Sequence, residues 1–124
     1  MSFTLEFPDS ELRDVAADGA AVRLRFSAAT VRNDAGERGW LTSVQLELSG
    51  ATLHGDTTHA FGRITAGRLR HGERGVARLA VPGNLTGDIE LALRLANGAQ
   101  FAVRGHALVA SVADDARFAP DLSC

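Results

Sequence analysis

Between Asp88 and Val103 the apolar residues fall on every second position: Ile89, Leu91, Leu93 and Leu95, then Asn97-Gly98, then Phe101 and Val103. A period of two is that of a β-strand with one buried face. The turn between the halves follows from facing. A two-residue Asn97-Gly98 loop would set Leu93 opposite Ala102 and put Phe101 on the wrong face. A three-residue loop, Ala96-Asn97-Gly98, sets Leu93 opposite Phe101 and Leu91 opposite Val103. It wants a glycine in the left-handed closing position, where Gly98 stands.

The rest of the chain has the same grammar. Gly and Asp-Gly punctuation recurs about every ten residues, the rhythm of an all-β sandwich or barrel. Thr4–Phe7 reads as a short strand stopped by Pro8, and a second segment covers about Glu11–Ala16. Asp18-Gly19 marks a hairpin into Ala21–Arg32, in which Val22, Leu24 and Phe26 line one face. A two-residue turn at Asp18-Gly19 pairs Val15 with Val22 and Asp14 with Arg23. Leu12 then faces the wrong way, so a bulge near Arg13-Asp14 or a longer turn is expected. The polar stretch from Asn33 to Gly39 is the best candidate for a mobile loop. The next strand starts at Trp40 or Leu41, carries Val44, Leu46 and Leu48, and is bulged at Ser49-Gly50 before Leu53. Gly55–Ala60 is a second polar loop, Phe61–Arg70 a weaker strand and His71–Gly75 a turn. Leu79 and Val81 alternate up to Pro82, and Pro82-Gly83-Asn84 with Gly87 reads as a loop. The last strand runs on to Val112, and Phe118 is placed to tuck the tail onto the core. The expectation is one antiparallel β domain over residues 1–124, a sandwich or a small barrel of about eight or nine strands.

At 124 residues the chain is long enough for a single core without covalent staples. Its formal net charge of −2 gives no overall pull toward nucleic acid or acidic lipid. All thirteen basic residues are arginine, with no lysine and no tyrosine; biased coding is the simplest source of that pattern. The N-terminus lacks the basic and apolar regions of a signal peptide, and no apolar run is long enough for a membrane helix. Cys124 is the only cysteine, so no intrachain disulfide forms and a cytoplasmic setting is the default.

Three groups of residues could carry chemistry. His54, Asp56 and His59 put two imidazoles and a carboxylate within six residues, a pattern that can make a metal site with open positions. The simpler reading is a solvated polar loop, since a metal site needs ligands on rigid elements with a supporting shell. Arg63, Arg68, Arg70, Arg74 and Arg78 form a locally positive stretch containing one acid, Glu73. Arg68 and Arg70 share one strand face, which could meet an acidic partner or phosphates. Aromatics interleaved with the arginines, as single-strand nucleic-acid binders use, are missing. Trp40, the only tryptophan, stands at a loop edge, where an aromatic is either core or an interface anchor. His71, His106 and the serines have no nucleophile–base context, and the terminal Cys124 has nothing to tune its thiol. No catalytic residue and no cofactor is assigned.

Phe7-Pro8-Asp9-Ser10-Glu11-Leu12, followed by Asp18-Gly19 and Val22-Arg23-Leu24-Arg25-Phe26, resembles a pattern shared by many small bacterial β proteins. These open with Phe/Trp-His-Asp-Ser-x-Leu, a short strand, a glycine turn and an alternating strand. Some are immunity-type proteins that accompany polymorphic toxins. Gly67-Arg68-Leu69, Leu79-Ala80-Val81-Pro82 and the ending Ala116-Arg117-Phe118 with Asp121-Leu122-Ser123-Cys124 resemble an uncharacterised proteobacterial family. The resemblance implies a small all-β fold and no established activity. Pro8 stands where the pattern has its histidine, so no role of that histidine carries over.

Three readings follow. The first is a non-enzymatic interaction module, immunity-type in its concrete form, using the 33–40 loop and the arginine face of Arg63, Arg68 and Arg70 on another protein. The second is a small-molecule-binding barrel with Val22, Leu24, Phe26, Leu46, Leu91, Leu93, Phe101 and Val103 facing inward. The third is a metal-dependent enzyme using His54, Asp56 and His59. Strand edges left by an open sandwich would also allow a homodimer.

Overall fold

The computed structural model describes residues 2–121. The chain runs through β1 (Phe3–Asp18), β2 (Ala21–Arg32), β3 (Arg38–Leu41), β4 (Val44–Ser49), β5 (Thr52–Gly55) and β6 (Gly62–His71). It continues through β7 (Arg74–Val76), β8 (Leu79–Val81), β9 (Gly83–Leu95), β10 (Gln100–Val112) and β11 (Phe118–Pro120). The described residues thus hold eleven strands, not eight or nine. The long segments bend at bulges, and short strands form on the flanks that the bends leave open.

Six strands close into an antiparallel barrel in the order β1, β2, β4, β10, β9, β6 and back to β1. The closing seam is short: Glu11 pairs with Arg63 and Leu12 with Gly62. The long strands change one partner along their length. β2 pairs with β4 through Val22–Phe26 and with β3 through Ala29–Arg32. β10 pairs with β5 through Phe101–Arg104 and with β4 through Ala107–Val112. Alternation then sends one residue in two to the interior. Val22, Leu24, Phe26, Leu46, Leu91, Leu93, Phe101 and Val103 all belong to one buried cluster. The interior of the barrel is therefore lined by the chain's own apolar side chains.

The hairpin that joins β9 and β10 has the expected register, with Leu93 opposite Phe101 and Leu91 opposite Val103. Gly98 sits at φ 92° in the three-residue loop. Ser49-Gly50 breaks the strand as expected, and Phe118 returns to stack on Phe3 with ring centroids 5.6 Å apart.

Four expectations need correction. The first hairpin turns on Gly19-Ala20, so Val15 faces Leu24 and Asp14 faces Arg25. Gly19, at φ 60°, takes the first central position of the turn, where this hairpin type wants it. The bulge between Leu12 and Asp14 then returns Leu12 to the core opposite Phe26. Pro8 does not end its strand. It lies in a wide bulge with Asp9 at φ 68°, exposed, where no ladder bond needs its missing N–H. Pro82-Gly83-Asn84 and Gly87 do not form a loop between strands. Gly83 to Thr86 pair with Ala110 to Ala107, so a distant partner overrides local turn chemistry. The 33–39 stretch is not loop throughout: Arg38 and Gly39 belong to β3, and in the remaining turn the Asn33 side-chain oxygen accepts the amides of Ala35 and Glu37 at 3.0 and 2.9 Å.

Candidate functional site

Strands β6, β9, β10 and β5 lie side by side, and their register aligns outward-facing residues in rows. One row is Arg68, Ala92, Ala102 and His54. The row on one side is Ala66, Arg94 and Gln100. The row on the other side is Arg70, Glu90, Arg104 and Thr52. The alternate residues of the same strands, Leu69, Leu91, Leu93, Phe101 and Val103, are buried. One alternation thus builds the core and this face together.

The centre of the face is floored by small side chains. Ala92 and Ala102 are half-buried beneath their long neighbours, leaving an open depression of about 690 Å³. His54, Arg68, Arg94 and Gln100 form its rim. The three rows carry four arginines against one carboxylate. Glu90 lies between two of them, 2.8 Å from Arg104 and 3.9 Å from Arg70. Arg94 donates to the Gln100 side-chain oxygen at 3.4 Å. Among the described residues Arg68 has no ion pair. A planar guanidinium with spare donors is suited to carboxylate or phosphate oxygens.

Gln100 also borders a second depression of about 480 Å³, lined by Asp56, His59, Phe61 and the 97–99 turn. Asn97 ties the two loops here: its side-chain amide donates to the carbonyls of His59 at 2.9 Å and Phe61 at 3.3 Å. Asp56 is bounded by its own loop. The Thr58 hydroxyl and amide both donate to its carboxylate and hold its pKa below the ordinary range.

The sequence candidates separate in space. His54 is on the rim of the first depression, whereas Asp56 and His59 line the second. No group of three His, Cys, Asp or Glu side chains among the described residues is placed to hold a metal. Arg68 and Arg70 do share a face. Arg63 does not join them: it lies at the barrel seam, 3.5 Å from Asp9, which Arg38 also approaches at 3.6 Å. Trp40 is half-buried on β3, and β2 and β4 stand between that strand and β10. His71 Nε2 donates to the Thr86 carbonyl oxygen at 2.6 Å, and His106 lies 4.0 Å from Asp88. Cys124 lies outside the described residues.

Arg94, Arg104 and Phe61 are the residues that sequence reasoning missed. The two arginines sit singly on strands remote from the 63–78 cluster, and only strand pairing brings them beside it. The hairpin register at Ala96–Gly98 already put Arg94 and Arg104 on the outward face, which was the available signal. Among the described residues no helix is long and apolar enough to cross a membrane. Compared with family models, curated proteins and solved structures, the chain finds no significant match.

Proposed function

We propose that this protein is a non-enzymatic interaction module that lays the outer face of β5, β10, β9 and β6 against an acidic surface of another protein. The observation that carries this reading is the local charge: Arg68, Arg70, Arg94 and Arg104 against Glu90 in the three aligned rows, with Asp88 one step beyond Glu90 on β9, in a chain whose net charge is −2. The half-buried alanine floor supports it, because small residues let a partner's backbone approach the guanidinium groups. Arginine-rich faces of this kind steer and align carboxylate-bearing partners. In the immunity-type form that the opening motif suggests, the acidic surface belongs to a toxin. That form predicts a toxin gene beside the gene for this chain and a complex of the two products. A cytoplasmic setting belongs to the same reading, supported by the single cysteine.

The test is titration of a fluorescein-labelled oligoglutamate by fluorescence anisotropy at low ionic strength, where surface electrostatics are least screened. Saturable binding is expected, with loss in the double variant Arg68→Glu with Arg94→Glu. The double variant Arg23→Glu with Arg25→Glu, on the β2 face, is expected to bind as the parent does. Equal binding by the Arg68/Arg94 variant, or equal loss in both variants, would overturn the proposal.

A further inference from the structure

We infer that the segment this face accepts is extended and bipolar, with carboxylates over Arg68 and Arg94 and an aromatic side chain about four residues away against Phe61. This rests on the acidic-partner reading and adds the shape and sequence pattern of the ligand.

Phe61 is 52% exposed, and Val109 at 47% is the other large hydrophobic residue so exposed among those described. A single exposed apolar side chain is ordinary. Phe61 differs in being held on a pinned loop beside a depression. Its amide donates to the His59 carbonyl at 2.9 Å, its own carbonyl accepts from Asn97, and the His59 ring meets its ring edge-on with centroids 6.2 Å apart. An apolar surface whose backbone is already fixed loses little freedom on binding.

The depression at Phe61 adjoins the arginine-rimmed one through Gln100, so the two form one track across the end of the sheet. The track has a polarity. Arg68 and Arg94 border one end, and the exposed carboxylate of Asp56, which accepts two hydrogen bonds from Thr58, borders the other. A ligand carboxylate is drawn to the first end and repelled from the second, and at that second end the exposed Phe61 ring offers the contact surface for an aromatic group. From Ala102 to Gln100 the strand advances two residues, about 7 Å at the rise of an extended chain, and the 97–99 turn, to which Phe61 is tied through Asn97, lies beyond it. A peptide that starts over the arginine rim therefore needs more than two residues of its own to reach Phe61, and a spacing of about four is the one to test.

Three labelled peptides of equal length and charge test this against the whole chain by anisotropy. In one, a glutamate pair is followed by Trp about four residues on, with Gly and Ser between. In the second, Ser replaces the Trp. In the third, the Trp adjoins the glutamates. The first is expected to bind about fivefold more tightly than either other, the gain of one aromatic contact. Phe61→Ser is expected to erase that advantage and leave the affinity for the Trp-free peptide unchanged. Equal binding of the first two peptides, both lost in the Arg68→Glu and Arg94→Glu variant, would overturn this inference and leave the acidic-face reading in place. A Trp advantage that survives Phe61→Ser would overturn it as well. Failure of all three peptides to bind would overturn both.

Discussion

Ser10 takes the place of a backbone group opposite Thr30. Its buried hydroxyl accepts the Thr30 amide at 2.8 Å and donates to the Glu6 carbonyl at 2.7 Å. Between Glu6 and Glu11 the register of β1 against β2 breaks, and this one hydroxyl links the strands across the break. Ser10→Ala leaves a buried N–H and a carbonyl without their partner, which costs about 2 kcal/mol. Urea denaturation is expected to show that loss as a lower midpoint at unchanged slope. A change within experimental error would mean that the bulge needs no side-chain link.

Asp9, in the same bulge, has φ 68° and lies between Arg63 at 3.5 Å and Arg38 at 3.6 Å. Its side chain is half exposed, so the ion pairs are worth little and the backbone decides the effect of substitution. Asp9→Gly is expected to stay within about 0.5 kcal/mol of the parent, and Asp9→Ala to lose about 1 kcal/mol. Thermal denaturation of the pair checks this. Equal losses would assign the position's value to its charge instead.

Gly67 lies where β6 passes over Phe7. A Cβ there would stand 2.5 Å from the Phe7 Cβ and 3.0 Å from a Leu93 methyl. Phe7 and Leu93 are both buried and cannot swing out into solvent. Gly67→Ala is therefore expected to destabilise by about 2 kcal/mol through overpacking. Chemical denaturation measures it; a neutral result would show that Phe7 repacks at no cost.

The Asp14–Arg25 pair predicts a specific acid dependence. Arg25 Nε donates to one carboxylate oxygen of Asp14 at 2.8 Å, and Arg25 Nη2 donates to the other. That hydrogen bonding lowers the Asp14 pKa against the opposing effect of burial, and the charges of Arg25 and Arg13 lower it further. Because the folded value is the lower one, the stability it contributes is present in full above the unfolded carboxylate pKa of about 4. It is lost as the pH falls through the folded value. Asp14→Asn is expected to be slightly less stable than the parent near neutrality, and the gap to close in strong acid and in high salt. A gap independent of pH would show that Asn simply fits less well.

Local patterns were legible wherever the partner lies close in sequence. The 96–98 hairpin, the inward face of β2 and the need for a bulge near Arg13 follow from the period of two, because a strand can bury only alternate residues. Contacts between distant segments were not legible. Pro8 and Gly83 read locally as breaks, yet each lies within a strand, because pairing with a remote strand offsets a weak local preference. Closure of the barrel rests on Glu11 and Leu12 meeting Arg63 and Gly62, a pairing that no alternation reveals. The sequence alone thus determined the fold class and which residues face outward. The tertiary structure alone decided which outward residues are neighbours: it brought Arg94 and Arg104 beside Arg68 and Arg70, it sent Arg63 and Trp40 elsewhere, and it parted His54 from Asp56 and His59. The physical reason is that facing is set by neighbours along the chain, whereas the composition of a surface is set by which strands pair, and that depends on burying one core.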